Sequence, residues 1–315
     1  MDNRSPIQEL PNVIEGCQLF IKRDDLLPFS FGGNKYRIAQ EFFQDMEENG
    51  YDCIIGYGNI RSNMCRAISN IAKSKNIPCY IISPEEVNDA TLTHTNNSLI
   101  VELCDAIVYK CKKTEVAETV ESVINECKSQ GLNPYYVNGN KFGHGNEKTQ
   151  LKAYYKVYKE IESQSMELGV KFDYIFLTTG TGMTTAGLIA GKMSEKKKKK
   201  IVGLSIARDK EKEERIIRNL IDVFYDYKCS QKKDVEVDDS CLCGGYGCYN
   251  EEIIKTTEVM MVNYGLPLDV TYTGKAFTAM KKYIKRNGIN GNILFIHTGG
   301  TPLFFDNLKL LVRNE

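Results

Sequence analysis

Apolar residues along the chain alternate between two rhythms. Short unbroken runs read as buried strands, and longer stretches with apolar residues three and four apart read as amphipathic helices. Residues 17–23 predict a strand, and residues 34–48 a helix with Tyr36, Ala39, Phe42, Phe43 and Met46 on one face, stopped by Gly50. A short strand at 53–58 ends in glycines, a helix follows over 61–75, and 78–83 reads as the next strand. The runs 98–102 and 106–109 also read as strands, followed by a helix near 114–130 and a strand at 135–137. A helix over 147–165 precedes a strand at 174–178, a glycine-containing loop and a helix from about 184. The remaining pattern is a strand at 201–206, helices near 210–226, 250–263 and 275–286, and a last strand at 293–296. Residues 227–245 are polar, rich in cysteine and without a period, so they read as a loop. Strands alternating with helices predict parallel βαβ units, an α/β protein.

Composition narrows the function classes. The 315 residues carry 41 Lys plus Arg and 41 Asp plus Glu, a formal net charge of zero. That balance calls for neither nucleic acid nor a membrane surface. Residues 194–200 (Ser-Glu-Lys-Lys-Lys-Lys-Lys) read as a solvated loop before a strand; a polyanion site is the alternative. The apolar runs are too short to span a bilayer, and Met1–Pro6 lacks an apolar signal core, so a cytoplasmic location is expected. Eleven cysteines, an odd number in a chain of this size, point to mostly reduced thiols. Cys229, Cys241, Cys243 and Cys248 lack the paired spacing of a zinc site, and no metal is expected.

Chemistry concentrates where strands hand over to helices. Leu19–Leu26 carries an apolar run into Lys22-Arg23-Asp24-Asp25, and a loop with Gly32-Gly33 then delivers Lys35 to a helix start. The glycines allow a tight turn and close approach to a ligand. Lys35 is either a reactive amine or an ordinary loop lysine. Thr179–Thr185 combines glycines, threonines and a helix N-terminus, the ingredients of a phosphate cradle, without a P-loop lysine; a plain tight turn is the alternative. Ser62 and Asn63, in Gly58–Arg66, fall in the first turn of a helix, where either a ligand contact or an N-cap fits. Asp269–Ala276 and His297–Pro302 add hydroxyls and glycines; the three histidines have no clear carboxylate partner, and His297 reads as structural. A lysine amine, a phosphate cradle and hydroxyl donors together suit pyridoxal phosphate. A hydroxyl beside the ring nitrogen, in place of a carboxylate, leaves that nitrogen less protonated and favours elimination over transamination.

Lys22–Leu26, Gly32–Arg37, Arg61–Arg66, Thr179–Gly182, Tyr272–Ala276 and His297–Gly300 occur in one order. The set resembles the D-cysteine desulfhydrase and 1-aminocyclopropane-1-carboxylate deaminase family, over nearly the whole chain. The resemblance implies the two-domain pyridoxal-phosphate fold of the tryptophan synthase β type. Residues 1–48 and 164–315 would form a large cofactor-binding domain and 49–163 a small inserted one, each a largely parallel sheet flanked by helices. It implies Lys35 as the Schiff-base lysine, Asn63 near the cofactor ring, and Gly180, Thr181, Gly182 and Thr184 around the phosphate. Ser62, Tyr246 and Tyr272 match substrate-side residues. Thr273 stands where the deaminases typically have glutamate, and Thr298 is a second hydroxyl for the ring nitrogen.

The expected activity is therefore a lyase reaction on a small amino acid, D-cysteine giving pyruvate, sulfide and ammonia, in a cytoplasmic homodimer. A deaminase, or another eliminase or racemase on a small amino acid, is the alternative. Arg61, Met64, Met183 and Tyr249 depart from the family pattern, and Arg61 and Met64 flank Ser62, which leaves the substrate open.

Overall fold

The computed structural model describes residues 4–85, 94–195, 199–229, 231 and 235–312. The strands are β1 (Ile7–Leu10), β2 (Cys17–Arg23), β3 (Cys53–Tyr57), β4 (Cys79–Glu85), β5 (Ile107–Lys112), β6 (Pro134–Tyr136), β7 (Tyr174–Thr179), β8 (Lys200–Ser205), β9 (Glu236–Asp238) and β10 (Gly291–His297). The helices are α1 (Asn34–Glu48), α2 (Asn63–Ser74), α3 (Asn96–Leu103), α4 (Val116–Ser129), α5 (Glu147–Leu168), α6 (Met183–Glu195), α7 (Lys210–Tyr225), α8 (Glu251–Tyr264), α9 (Thr273–Asn287), α10 (Thr301–Asp306) and α11 (Leu308–Leu311). The chain divides into two compact units, Met1–Asn34 with Leu151–Glu315, and Lys35–Gln150.

The first unit holds a six-stranded sheet of order β1-β2-β10-β7-β8-β9. Only β1 runs antiparallel; the other pairings are parallel. The interior strands β2, β10, β7 and β8 are near-continuous apolar runs because helices cover both faces. Their core includes Leu19, Ile21, Phe176, Val202, Leu204, Phe277 and Phe295. The second unit holds a four-stranded parallel sheet of order β5-β4-β3-β6, with Ile55, Tyr80, Ile82, Val120 and Val123 in its core.

Two readings of the sequence are corrected. Residues 98–102 form part of helix α3, not a strand. Thr95 and Ser98 make a reciprocal capping box, and an apolar run this short does not distinguish strand from helix by itself. The loop assigned to 227–245 contains the edge strand β9, and the edge strand β1 carried no signal of its own. Both are short and pair on one side only, so tertiary pairing defines them.

The charged run after β2 is buried and paired. Lys22, fully buried, donates to Glu160 Oε1 at 2.5 Å, Gln164 Oε1 at 2.7 Å and the Ser5 carbonyl at 3.2 Å. Asp24 accepts from Ser5 Oγ at 2.6 Å and Tyr154 Oη at 2.5 Å. Arg23 grips Asp25 through Nε and Nη2 at 2.7–3.2 Å. Buried charges persist only when paired, so these contacts fix the strand end against α5. Helix α6 packs on α5 through small residues. A Cβ at Gly187 would lie 2.4 Å from the Leu151 carbonyl, and one at Gly191 2.5 Å from Tyr158 Cβ.

Lys22→Met removes one partner of a buried pair and leaves Glu160 uncompensated. Chemical denaturation should show a loss of about 3–5 kcal/mol; a change under about 1 kcal/mol would mean the pair is not a scaffold element.

Candidate active site

The parallel strands of the first unit bring the loops after β2, β7, β8 and β10 to one sheet edge, the carboxyl ends where α/β proteins bind ligands. Gly33 has φ +90°, and its N–H donates to the Asp24 carbonyl at 2.7 Å. A Cβ on Gly33 would stand 2.9 Å from the Thr298 carbonyl, and one on Gly299 would stand 2.7 Å from Gly33 Cα. The close approach suggested by Gly32-Gly33 is thus backbone against backbone, between the loops after β2 and β10. Asn34 N–H donates to the Thr298 carbonyl at 2.9 Å, and Asn34 Nδ2 to Thr184 Oγ1 at 3.0 Å. The residue immediately before Lys35 is therefore tied to both the hydroxyl loop and the glycine loop. Lys35 itself is half-buried. Burial pushes its amine down from 10.5 to about 8.

Gly180, Thr181, Gly182 and Thr184 lie where β7 meets α6. The first N–H groups of α6 have no partner within the helix and carry its positive dipole end. Gly182, φ +83°, leaves room that a Cβ would fill at 3.2 Å from Ile216 and Ile217. Thr178 Oγ1 and Thr185 Oγ1, beside the loop, are buried hydroxyls with no hydrogen-bond partner among the described residues. Two residues that the sequence left unremarked support the loop. Arg208 Nη1 donates to the Gly180 carbonyl and lies 3.0 Å from Glu213 Oε2, while Thr179 Oγ1 donates to Glu213 Oε1 at 2.7 Å. Burial raises the Glu213 carboxyl above its usual range. The donors, the glycine cradle and the adjacent guanidinium fit a phosphate.

Asp269 organises the start of α9. Its Oδ1 accepts from Thr271 N at 2.9 Å and Tyr272 N at 2.7 Å; its Oδ2 accepts from Thr273 N at 3.1 Å and Thr273 Oγ1 at 2.8 Å. Thr273 also accepts from Asp269 N at 3.0 Å, so its hydroxyl is engaged as donor and acceptor and is fully buried. The Thr298 hydroxyl makes no such contact among the described residues. Tyr246 and Tyr272 share a hydroxyl–hydroxyl hydrogen bond of 2.5 Å, with rings 5.9 Å apart. Burial and the neighbouring Tyr246 and Asp269 hold the Tyr272 hydroxyl well above its usual pKa.

His297 is structural, and it does have a carboxylate nearby, Asp25 Oδ1 at 3.7 Å from Nδ1. Gly299 N–H donates to Nδ1 at 3.2 Å, so the proton sits on Nε2 and points to the Pro267 carbonyl at 3.2 Å.

In the second unit, Ser62 caps α2 by accepting from Cys65 N at 3.1 Å and retains its own proton to donate. Asn63 Oδ1 accepts from Asn97 Nδ2 at 3.0 Å, and Asn97 also donates to the Arg61 carbonyl at 3.0 Å. The Asn63 amide is thereby turned so that its NH2 group faces away from Asn97. Asn97, just before the run 98–102 expected as a strand, carried no signal of its own because its partners lie 34 and 36 residues away.

The family model described as pyridoxal-phosphate dependent enzyme matches residues 2–299. D-cysteine desulfhydrase of Klebsiella pneumoniae (strain 342) is 29% identical over 315 residues, covering 96% of this chain and 93% of the relative. A provisionally named 1-aminocyclopropane-1-carboxylate deaminase of Pyrococcus furiosus is 30% identical over 306 residues, covering 94% and 89%. The crystal structure of an ACC deaminase homologue superposes with a TM-score of 0.83 at 27% identity, covering 98% of this chain and 93% of that one. Together with a phosphate-fitting loop tied to the residue before a low-pKa lysine, these matches show that the chain belongs to the pyridoxal-phosphate dependent enzymes.

Proposed function

We propose that this enzyme catalyses β-elimination on a small D-amino acid, with D-cysteine and water giving pyruvate, sulfide and ammonia. The observation that carries this reading is the hydroxyl environment at α9 and β10. Thr273 stands where the deaminases it resembles typically have glutamate, Asp269 accepts from four donors, and the Thr298 hydroxyl, with no such contact among the described residues, is left for the ring nitrogen. The relatives named D-cysteine desulfhydrase support the substrate. The structural match to an ACC deaminase homologue favours a second reading, opening of a cyclopropane amino acid to 2-oxobutyrate and ammonia.

In this reading Lys35 would hold pyridoxal phosphate covalently, with Gly180, Thr181, Gly182 and Thr184 on the phosphate, Asn63 beside the ring and Thr298 at its nitrogen. The bound cofactor supplies an aldehyde for the substrate amine and a ring that withdraws electrons from the α-carbon. Lys35 Nζ, neutral above about pH 8, is suited to take the α-proton. Ser62 Oγ–H is available to a substrate carboxylate, and the Tyr246–Tyr272 pair holds a proton for the departing sulfur. We further propose a cytoplasmic homodimer. Phe305, Leu308, Leu310 and Val312 expose apolar side chains near the C-terminus, beside Met261 and Val262 of α8, on which α11 packs.

A panel of D- and L-amino acids with 1-aminocyclopropane-1-carboxylate, assayed for pyruvate, sulfide and 2-oxobutyrate, separates the readings. Sulfide and pyruvate from D-cysteine are expected; 2-oxobutyrate as the main product would favour the second reading. Lys35→Ala should abolish both turnover and the visible absorption of bound cofactor. In the wild-type apoprotein, uptake of pyridoxal phosphate should accelerate as pH rises towards about 8 and level off above it, because burial lowers this amine's pKa and the neutral form is the nucleophile. A rate still climbing near pH 10 would mean Lys35 is an ordinary lysine. Phe305→Glu should shift the sedimentation coefficient from dimer to monomer; an unchanged dimer would place the interface elsewhere.

A further inference from the structure

Lys275 is fully buried, yet among the described residues it pairs with no carboxylate. Its ammonium has three donors. They reach the carbonyls of Gly245 at 2.9 Å, Leu242 at 3.0 Å and Ile206 at 3.3 Å. Burial lowers the amine's pKa, and the sulfurs of Cys241, Cys243 and Cys248 lie close enough to oppose that shift. Every donor is used, so this is no free nucleophile.

The carbonyls belong to two places, the end of β8 and the loop that carries Tyr246. That loop makes two successive turns, Gly245 N to the Leu242 carbonyl at 2.9 Å and Cys248 N to the Gly245 carbonyl at 3.3 Å. Cys243, Gly244, Gly245 and Gly247 all take positive φ, from +53° to +132°. A glycine-rich segment of this kind has much conformational freedom to lose on ordering. Lys275 also lies one helical turn beyond Tyr272, the residue whose hydroxyl meets that of Tyr246.

We propose that Lys275 is a positioning residue for the reaction, its buried ammonium gathering the 242–248 loop so that Tyr246 meets Tyr272. The assignment rests on the proposed substrate-side role of the two tyrosines, but its structural half stands apart from it. Lys275 touches neither tyrosine hydroxyl; it acts through the backbone of Leu242 and Gly245.

The chain has no tryptophan, so Tyr249→Trp, on the same loop and 39% exposed, gives a single reporter without altering Tyr246. In that background, with pyridoxal phosphate bound, Lys275→Met is compared with Lys275 for acrylamide quenching, cofactor absorption and kinetics. The expected result is a retained cofactor band and clearly stronger quenching. With it, kcat should fall about tenfold or more while KM changes little, as for Tyr246→Phe. The double variant Lys275→Met with Tyr246→Phe should fall no further than either single one, because both remove the same contact. Unchanged quenching, or effects that multiply in the double variant, would overturn the proposal. Should Lys275→Met not fold, Lys275→Gln, which keeps an amide donor, carries the same comparison with smaller changes of the same sign. If no amino acid in the panel is turned over, the proposed reaction fails while the quenching arm still decides whether Lys275 orders the loop.

Discussion

Burying charge at the end of β2 is the constraint from which the active-site side of the first unit follows. Lys22, Arg23, Asp24 and Asp25 are all buried, and each has a charged or hydrogen-bonding partner. Removing such a residue from water is tolerable only with its partners in place. The partners therefore dictate where the strand ends and how the chain leaves it. Asp24 is the pivot. Its side chain is held by Ser5 and Tyr154, and its carbonyl receives Gly33 N–H. Gly33 then packs against Thr298 and Gly299, closer than any Cβ allows, and Asn34 bonds to Thr184. The charge cluster at the end of β2 thus sets the residue from which Lys35 departs.

The same device recurs around the site. Arg208 and Glu213 hold the glycine loop after β7 from behind, Asp269 gathers the N–H groups that open α9, and Lys275 gathers the carbonyls beneath Tyr246. Asp269 and Lys275 are each a buried charge satisfied by several backbone groups of a loop, whereas Arg208 meets the Gly180 carbonyl and Glu213, which also accepts from the Thr179 hydroxyl. Loops rich in glycine and hydroxyl residues have weak conformational preferences of their own. Fixing them by charge-assisted hydrogen bonds leaves their exposed donors pre-organised for a ligand.

The sequence was most legible where local chemistry acts alone. Apolar periodicity located the long helices and the interior strands, and the ordered motifs pointed to pyridoxal phosphate through Lys35 and the 180–184 loop. It was least legible where tertiary contacts decide. Residues 98–102 resemble a strand because a short apolar run has no resolvable period, and only Ser98 of the Thr95–Ser98 capping box falls within the run. Edge strands β1 and β9 exist through one-sided pairing. Arg208, Glu213 and Asn97 gave no signal, and Lys275 showed only as a member of the Tyr272–Ala276 motif without a role, because each acts on residues distant in sequence. Gly33 showed that a backbone had to come close, but not that the neighbour would be Gly299. The lysine run at 196–200 was read as a solvated loop. Residues 196–198 lie outside the described ones, while Lys199 pairs with Glu162 and Lys200 lies 3.9 Å from Glu236.

We infer that Lys35, delivered by the charge cluster and the two glycines, is the lysine that binds the cofactor. Borohydride reduction of the holoenzyme followed by peptide mapping tests it directly. A single pyridoxyl-modified peptide containing Lys35 is expected. Modification of another lysine, with Lys35 unlabelled, would contradict it.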